Sequence, residues 1–504
     1  MSPNRRPAAA LLLIPLLAGC FSENGSAGTD GGPDAVEGSG DARLRVALAF
    51  PPTENLSPHG ADATLLSRLG VTEGLTVLDD QGLAAPALAE SWTAEDELTT
   101  VFTLREALFH TGEPVTAEAV ADAIEQAVTA EPAPAALSGV ELTAEAAGDR
   151  EVRITTAEPD PILPLRLAAP HLAILAPDAY EDDTVDPAGH GTGPYVLTSV
   201  TGAERASLDR FEEHWNGPAA ASGIEASFIA DGLARGNALR SGEVDIAEAI
   251  PVSAAATLDE GALRETRTTR TTGLLLNTAS GALTDPELRA AVREAVDTAA
   301  LAEGVYEGYA DPGEGVFGPA VIEGAGERPE PVNRAEPADA DAIEGTAITI
   351  ATYDNRPELP EVAQVVQQQL EAVGFTVALE VREYSRIESD ALAGEFDIFV
   401  AARNTLLDTG DPLGVLAGDY TCDGGYNLAL LCDPGVDRAV ADAAAIADPE
   451  ERREAILAAE AAILGTDALV PLVHQRTLHG VDPAVEDVIL DPYERTLIGR
   501  DTRR

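Results

Sequence analysis

Between residues 347 and 381 the apolar positions change their period twice. "AITIATY" reads as a strand. In "PEVAQVVQQQLEAVG" Val362, Val365, Val366, Leu370 and Val373 fall on one helical face, which Gly374 ends. In "FTVALEV" Phe375, Val377, Leu379 and Val381 alternate as in a strand. The pattern predicts a βαβ unit with a right-handed crossover. Ligands of such sheets bind beyond the carboxyl ends of the strands, so the turn "DNRPELP", 354 to 360, is where a site is expected.

Similar alternation runs through the chain and predicts an α/β fold. "RLRVALAF" (43–50) and "ELTTVFTLRE" (97–106) read as strands. Thr116 is a predicted N-cap for "AEAVADAIEQAV", with Glu118 favoured in the first turn by the helix dipole. Asp285 caps and Pro286 opens a predicted amphipathic helix over 285–301, with Leu288, Ala291, Val292, Ala295 and Val296 on one face. The Pro-, Gly- and acid-rich stretch 310–346 is expected to be surface loop, and no internal repeat interrupts the plan.

The amino-terminal end does not fit this plan. Arg5 and Arg6 precede an apolar run, Ala8 to Leu17, of signal-peptide length and too short to span a bilayer. Leu17-Ala18-Gly19-Cys20 resembles the bacterial lipobox, which implies cleavage after residue 19 and acylation of Cys20. Several acyl chains hold a protein on a membrane far more firmly than one. Residues 20–41, rich in Gly, Ser and Asp, are then a flexible tether reaching roughly 25 Å. The expected location is the outer face of the bacterial cytoplasmic membrane.

With 32 Lys and Arg, none of them Lys, against 87 Asp and Glu, the net charge is −55. Such a field repels nucleic acid and anionic lipid, so anchoring falls to the acyl chains. The pattern is that of a salt-adapted surface and names no activity. Beyond Cys20 only Cys422 and Cys432 remain, and an extracytoplasmic compartment permits them to form a disulfide. The seven histidines are scattered, with no i, i+4 pair on a helix, and no metal or cofactor is expected. "GEGVFG" (313–318) fits G-x-G-x-x-G, but Pro319 follows and no helix opens there, so it reads as loop. There is no G-x-S-x-G, H-E-x-x-H or P-loop, and an enzyme is not expected.

The stretch from 71 to 124 carries Glu73-Gly74-Leu75, Leu88-Ala89-Glu90-Ser91-Trp92, Phe102-Thr103-Leu104-Arg105 and Phe109-His110-Thr111-Gly112 followed by Pro114-Val115-Thr116-Ala117-Glu118. Further on come Gly191-Thr192-Gly193-Pro194-Tyr195, "LRSGEVDIA" (239–247), "LLLNT" and "VPLVHQ" (470–475). In these segments, in this order from about 43 to 492, the chain resembles the solute-binding proteins of ABC importers, in the family that carries oligopeptides, dipeptides and nickel. The resemblance implies a two-lobed α/β fold of the periplasmic-binding-protein type, monomeric, that shuts over a ligand and presents it to a permease and ATPase complex. Lobe I would hold residues 42–272 and 475–504, and lobe II residues 273–474. The helix that the family usually places before the strand at 347 is poorly matched by "NRAEPADADAIEG".

The resemblance also points to site residues. "RNTLLDTGDP" (403–412) keeps the acidic positions of the peptide binders' motif, Asp408 and Asp411; Asp408 matches the residue that holds a ligand's α-ammonium. Where those proteins have a tryptophan, this chain has Thr405, beside Asn404. Arg356, in "RPELP", matches the dipeptide binders' arginine that grips the ligand's carboxylate. Gly191, Thr192 and Gly193, whose glycines admit a close backbone, Glu54 and Asn55 of the first loop, and Tyr426 and Asn427 complete the expected site. A short peptide or other small zwitterion is the expected cargo. A metal chelate, a sugar or a modified small molecule is the alternative, favoured by Thr405, and a cell-surface hydrolase or sensor is a distant one.

Overall fold

The computed structural model describes residues 42–504 apart from Ala61, Asp80, Pro132, Ser138, 181–183, 322–327, Asn355 and 407–408. The leader, Cys20, the tether and Asp408 therefore lie outside the described residues. No helix among those described is long and apolar enough to cross a membrane.

Two long antiparallel strands, Leu263–Leu276 and Leu469–Val481, run through the middle of an eleven-stranded mixed sheet. On one side follow Ile398–Asn404, Ala347–Tyr353 and Thr376–Arg382. On the other follow Ile246–Ala247, Arg43–Leu48, Gly223–Phe228, Arg205–Arg210 and Tyr195–Thr201. The long strands thus link the three strands on one side of the sheet to the five on the other. Their register slips between Arg267 and Thr271, and again between Thr272 and Gly273. Such bulges bend a strand and re-aim its side chains.

The predicted βαβ unit is present: Ala347–Tyr353 pairs in parallel with Thr376–Arg382, and the helix Glu358–Ala372 connects them. Leu359, Val362, Val366 and Leu370 are fully buried on its inner face. Each contributes roughly 1.5–3 kcal/mol of apolar burial. Gly374, at φ +116°, ends the unit in backbone that side-chain-bearing residues avoid. The strands at 43 and 97 appear as Arg43–Leu48 and Thr99–Leu104. The Thr116 hydroxyl accepts from the Ala119 N–H and caps Ala117–Thr129, which packs behind a four-stranded antiparallel sheet, Ala89–Ala94, Thr99–Leu104, Glu151–Thr156 and Leu142–Ala146.

Two expectations change. The single helix over 285–301 is two, Pro286–Ala295 and Thr298–Gly304. Val296 is extended, and the Asp297 carboxylate accepts from the Ala300 N–H and caps the second helix. A carboxylate that can bond the backbone three residues on favours a cap over a helix interior. The stretch 310–346 is not all loop, because Ala310–Pro312 adds to Leu469–Val481 and Ala340–Ile343 forms a helical turn.

Candidate functional site

A cavity of about 270 Å³ opens where the βαβ unit meets the long strands. Arg356 stands in the turn after Ala347–Tyr353, just before the helix Glu358–Ala372. Its guanidinium therefore lies near a helix amino terminus, and both favour an anion there. Arg270 sits in the bulged part of Leu263–Leu276, and Arg403 near the carboxyl end of Ile398–Asn404. Tyr353, Tyr384, Tyr420 and Tyr426 supply aromatic wall. The rings of Tyr353 and Tyr384 meet edge to face at 4.9 Å, and the hydroxyls of Tyr384 and Tyr426 are in contact.

The three guanidiniums differ in their company. Arg403 Nε donates to Asp419 Oδ2 at 2.8 Å, Nη2 donates to Oδ1 at 3.2 Å, and the group lies over the Tyr426 ring. Arg270 Nη2 donates to Glu494 Oε2 at 2.8 Å. Among the described residues the one ion pair of Arg356 is with Glu358, at 3.8 Å. Burial and the charge of Arg270 both push the Arg356 pKa below its ordinary value. An anion placed here would relieve that crowding of positive charge. Glu494 shows the converse: burial opposes its ionisation, but Arg270, Arg68 and Arg356 hold its carboxyl down at about 2.

A larger cavity, about 950 Å³, adjoins the first and shares Arg403, Asn404, Thr405, Val415, Asp419 and Tyr426 with it. It extends between residues 139–166 and 409–452. Asp411, the second acidic position of the motif, faces it but is held by Arg452 Nη2 at 2.7 Å, and both are buried.

Of the expected site residues, the structure brings Arg356, Asn404, Thr405 and Tyr426 together around the first cavity. The polar groups of two are already engaged. The Asn404 amide accepts from Thr269 Oγ1 and donates to Glu494, and the Thr405 hydroxyl donates to the Thr269 carbonyl at 2.8 Å. Asn427 does not line either cavity; its amide bonds Thr421 and Leu431 and braces the loop closed by Cys422 and Cys432, which the structure joins as a disulfide. That loop carries Tyr426 to the cavity.

Gly191, Thr192 and Gly193 are buried elsewhere. A Cβ on Gly191 would stand 2.2 Å from the Val71 carbonyl oxygen, and one on Gly193 2.3 Å from that of Gly70. The close approach their missing side chains permit is to the chain's own backbone. Glu54 and Asn55 lie in the first loop, whose N–H groups converge on the buried Asp62 carboxylate, and line neither cavity.

The loop 313–318 is indeed no phosphate cradle. Glu460 fills it with its own carboxylate, accepting from the Phe317 N–H at 3.0 Å and from Arg328 at 2.7 Å. A Cβ on Gly315 would collide with both Arg328 and Glu460. Its role is to set Val316 in the cavity wall. No group of three His, Cys, Asp or Glu that could hold a metal occurs among the described residues.

Arg270, Arg403, Asp419, Glu494 and three of the tyrosines were not singled out from the sequence. Arg403 heads the motif "RNTLLDTGDP" and was within reach of that reading; nothing in the pattern around Arg270 or Glu494 distinguishes them from surface charges.

The sequence model for bacterial extracellular solute-binding proteins, family 5 (middle region), matches residues 84–427. The nickel-binding protein NikA of Staphylococcus aureus is 25% identical over 395 residues, covering 76% of this chain and 75% of that one. A probable di/tripeptide-binding protein of Pseudomonas aeruginosa is 26% identical over 318 residues, 60% of each chain. The crystal structure of a nickel ABC transporter protein from Bacillus halodurans superposes with a TM-score of 0.75 at 26% identity, covering 92% of this chain and all of that one.

Proposed function

The chain belongs to family 5 of the bacterial extracellular solute-binding proteins, which serve ABC importers, and on that premise we propose that it captures short peptides by lobe closure at the outer face of the cytoplasmic membrane. The observation that carries the cargo reading is the state of Arg356. It faces a tyrosine-walled cavity with its nearest described carboxylate 3.8 Å away, while Arg270 and Arg403 are closely paired. A guanidinium so placed suits the terminal carboxylate of a peptide. Asp408 takes the α-ammonium in this reading, and the adjoining cavity takes the rest of a longer ligand.

The lobes are residues 42–272 with 475–504, and residues 273–474. The two long strands common to both halves of the sheet support that division. Cys20 carries the lipid, and residues 21–41 give the body its reach. Replacing Cys20 by Ser should release the protein from the membrane fraction; retention there would remove the anchor from the account.

Calorimetry with di- to pentapeptides, at high salt, tests the cargo. One-to-one binding without turnover is expected, and Asp408→Ala should weaken it by at least roughly 2 kcal/mol. Failure of every peptide to bind would favour the second reading, a carboxylate-bearing metal chelate, which the likeness to nickel-binding proteins and Thr405 in place of an aromatic residue support.

A further inference from the structure

Two of the three guanidiniums at the cavity are neutralised by the protein itself, and the carboxylate on Arg270 comes from far away in the chain. Glu494 lies in the carboxyl-terminal segment, in left-handed backbone at φ +58°, a conformation that residues bearing a side chain rarely adopt. A tight turn holds it there: the Asp491 carboxylate accepts from the N–H groups of Tyr493, Arg495 and Thr496 at 2.7–2.8 Å. The Pro492 carbonyl accepts from Thr269 N–H in the bulge that carries Arg270. Glu494 Oε2 accepts from Arg270 Nη2 and from Asn404 Nδ2, both at 2.8 Å, and Oε1 accepts from Thr477 Oγ1 at 3.3 Å. Arg270 and Asn404 line the cavity; Glu494 stands behind them and does not. Its carboxylate thus takes one N–H of Arg270 and one of the Asn404 amide, and offsets the Arg270 charge to which a second anionic group of a cargo would be drawn. A second cargo carboxylate would also meet its charge in a poorly screened interior, where like charges repel strongly.

We propose that Glu494 is a built-in counter-ion that sets the charge of the cargo, admitting ligands with one anionic group, received by Arg356, and excluding those with two. The proposal rests on the reading of this cavity as the cargo site. It assigns Glu494 a specificity-determining role exerted through Arg270 and Asn404, without contact with the ligand.

The test is calorimetry at constant ionic strength with two pairs of probes that differ by one carboxylate, Ala-Ala against Ala-Glu and propionate against succinate. The wild-type protein should favour the monocarboxylate member of a pair by about tenfold or more. In Glu494→Gln the dicarboxylate should gain about tenfold while the monocarboxylate stays within about threefold, and Arg270→Gln added to Glu494→Gln should cancel the gain. A wild-type protein indifferent to the second carboxylate would overturn the proposal whether or not the variants fold. So would a folded Glu494→Gln with an unchanged ratio, or a gain that survives loss of Arg270. Arg356→Gln separates this failure from that of the site: probes that bind Arg356→Gln as well as wild type would sink the cavity reading itself, and probes that bind neither protein would sink both.

Discussion

Removing Arg356 should separate binding from stability. Its ion pair with Glu358 is long, 3.8 Å, its side chain is 27% exposed, and Arg270 repels it. Pairs of that kind contribute about 0–1 kcal/mol, and the relief of repulsion offsets part of the loss. Arg356→Ala should therefore unfold in urea within about 1 kcal/mol of wild type. Binding is another matter, because in the proposed lobe closure water would leave the guanidinium and the carboxylate it receives. Leaving one partner of such a pair alone costs about 2–5 kcal/mol, or about 30-fold to 4,000-fold in Kd. The assay is titration calorimetry on unfolded-and-refolded, ligand-free protein with the solute it retains on purification, alongside urea unfolding of both proteins. An affinity within twofold of wild type in a folded variant would refute the reasoning and remove Arg356 from the site.

Other consequences are open to direct measurement. His474 is buried with Nδ1 2.9 Å from Thr271 Oγ1 and Nε2 accepting from the Glu314 N–H, and burial together with the charge of Arg328 lowers its pKa from 6.5 to about 4. Between those values the unfolded chain takes up a proton that the folded chain refuses, so its contribution to stability is complete above about pH 6.5 and is lost as pH falls toward 4. His474→Gln should flatten the fall of Tm over that range relative to wild type; parallel curves would contradict the assignment. Asp411→Ala strands Arg452 in a buried site and should cost about 3–5 kcal/mol in urea unfolding, and a loss below about 1 kcal/mol would show that water reaches the pair. Cys422 and Cys432 close a short loop, and Cys432→Ser should lose about 2–3 kcal/mol and weaken cargo binding through Tyr426; two titratable thiols in the unreduced, denatured wild type would refute the bond.

What the sequence made legible follows from which interactions are local. The βαβ unit at 347–381 announces itself because both its periods and its terminating glycine lie within 35 consecutive residues, and its turn necessarily falls at a strand's carboxyl end, which is where Arg356 is found. The helix over 285–301 misled because Val296 continues the apolar stripe, whereas the cap made by Asp297 breaks it. Gly191 and Gly193 show a deeper ambiguity. A glycine that lets a ligand's backbone approach and one that lets Gly70 and Val71 approach look alike until the chain is folded. Arg270 reaches the cavity from a bulge, and a bulge depends on the register of two strands some 200 residues apart in sequence. Glu494 meets Arg270 across 224 positions, so no local pattern could single it out among 87 acids.

The function of this protein is decided by what the cavity carries. Native mass spectrometry of the protein purified gently from its own cells, followed by release of whatever it holds, tests this most directly. The expected result is a one-to-one complex with a small solute bearing a single anionic group, recovered chemically unaltered and lost from Arg356→Ala. A solute retained equally by that variant, or one recovered cleaved or otherwise transformed, would contradict it.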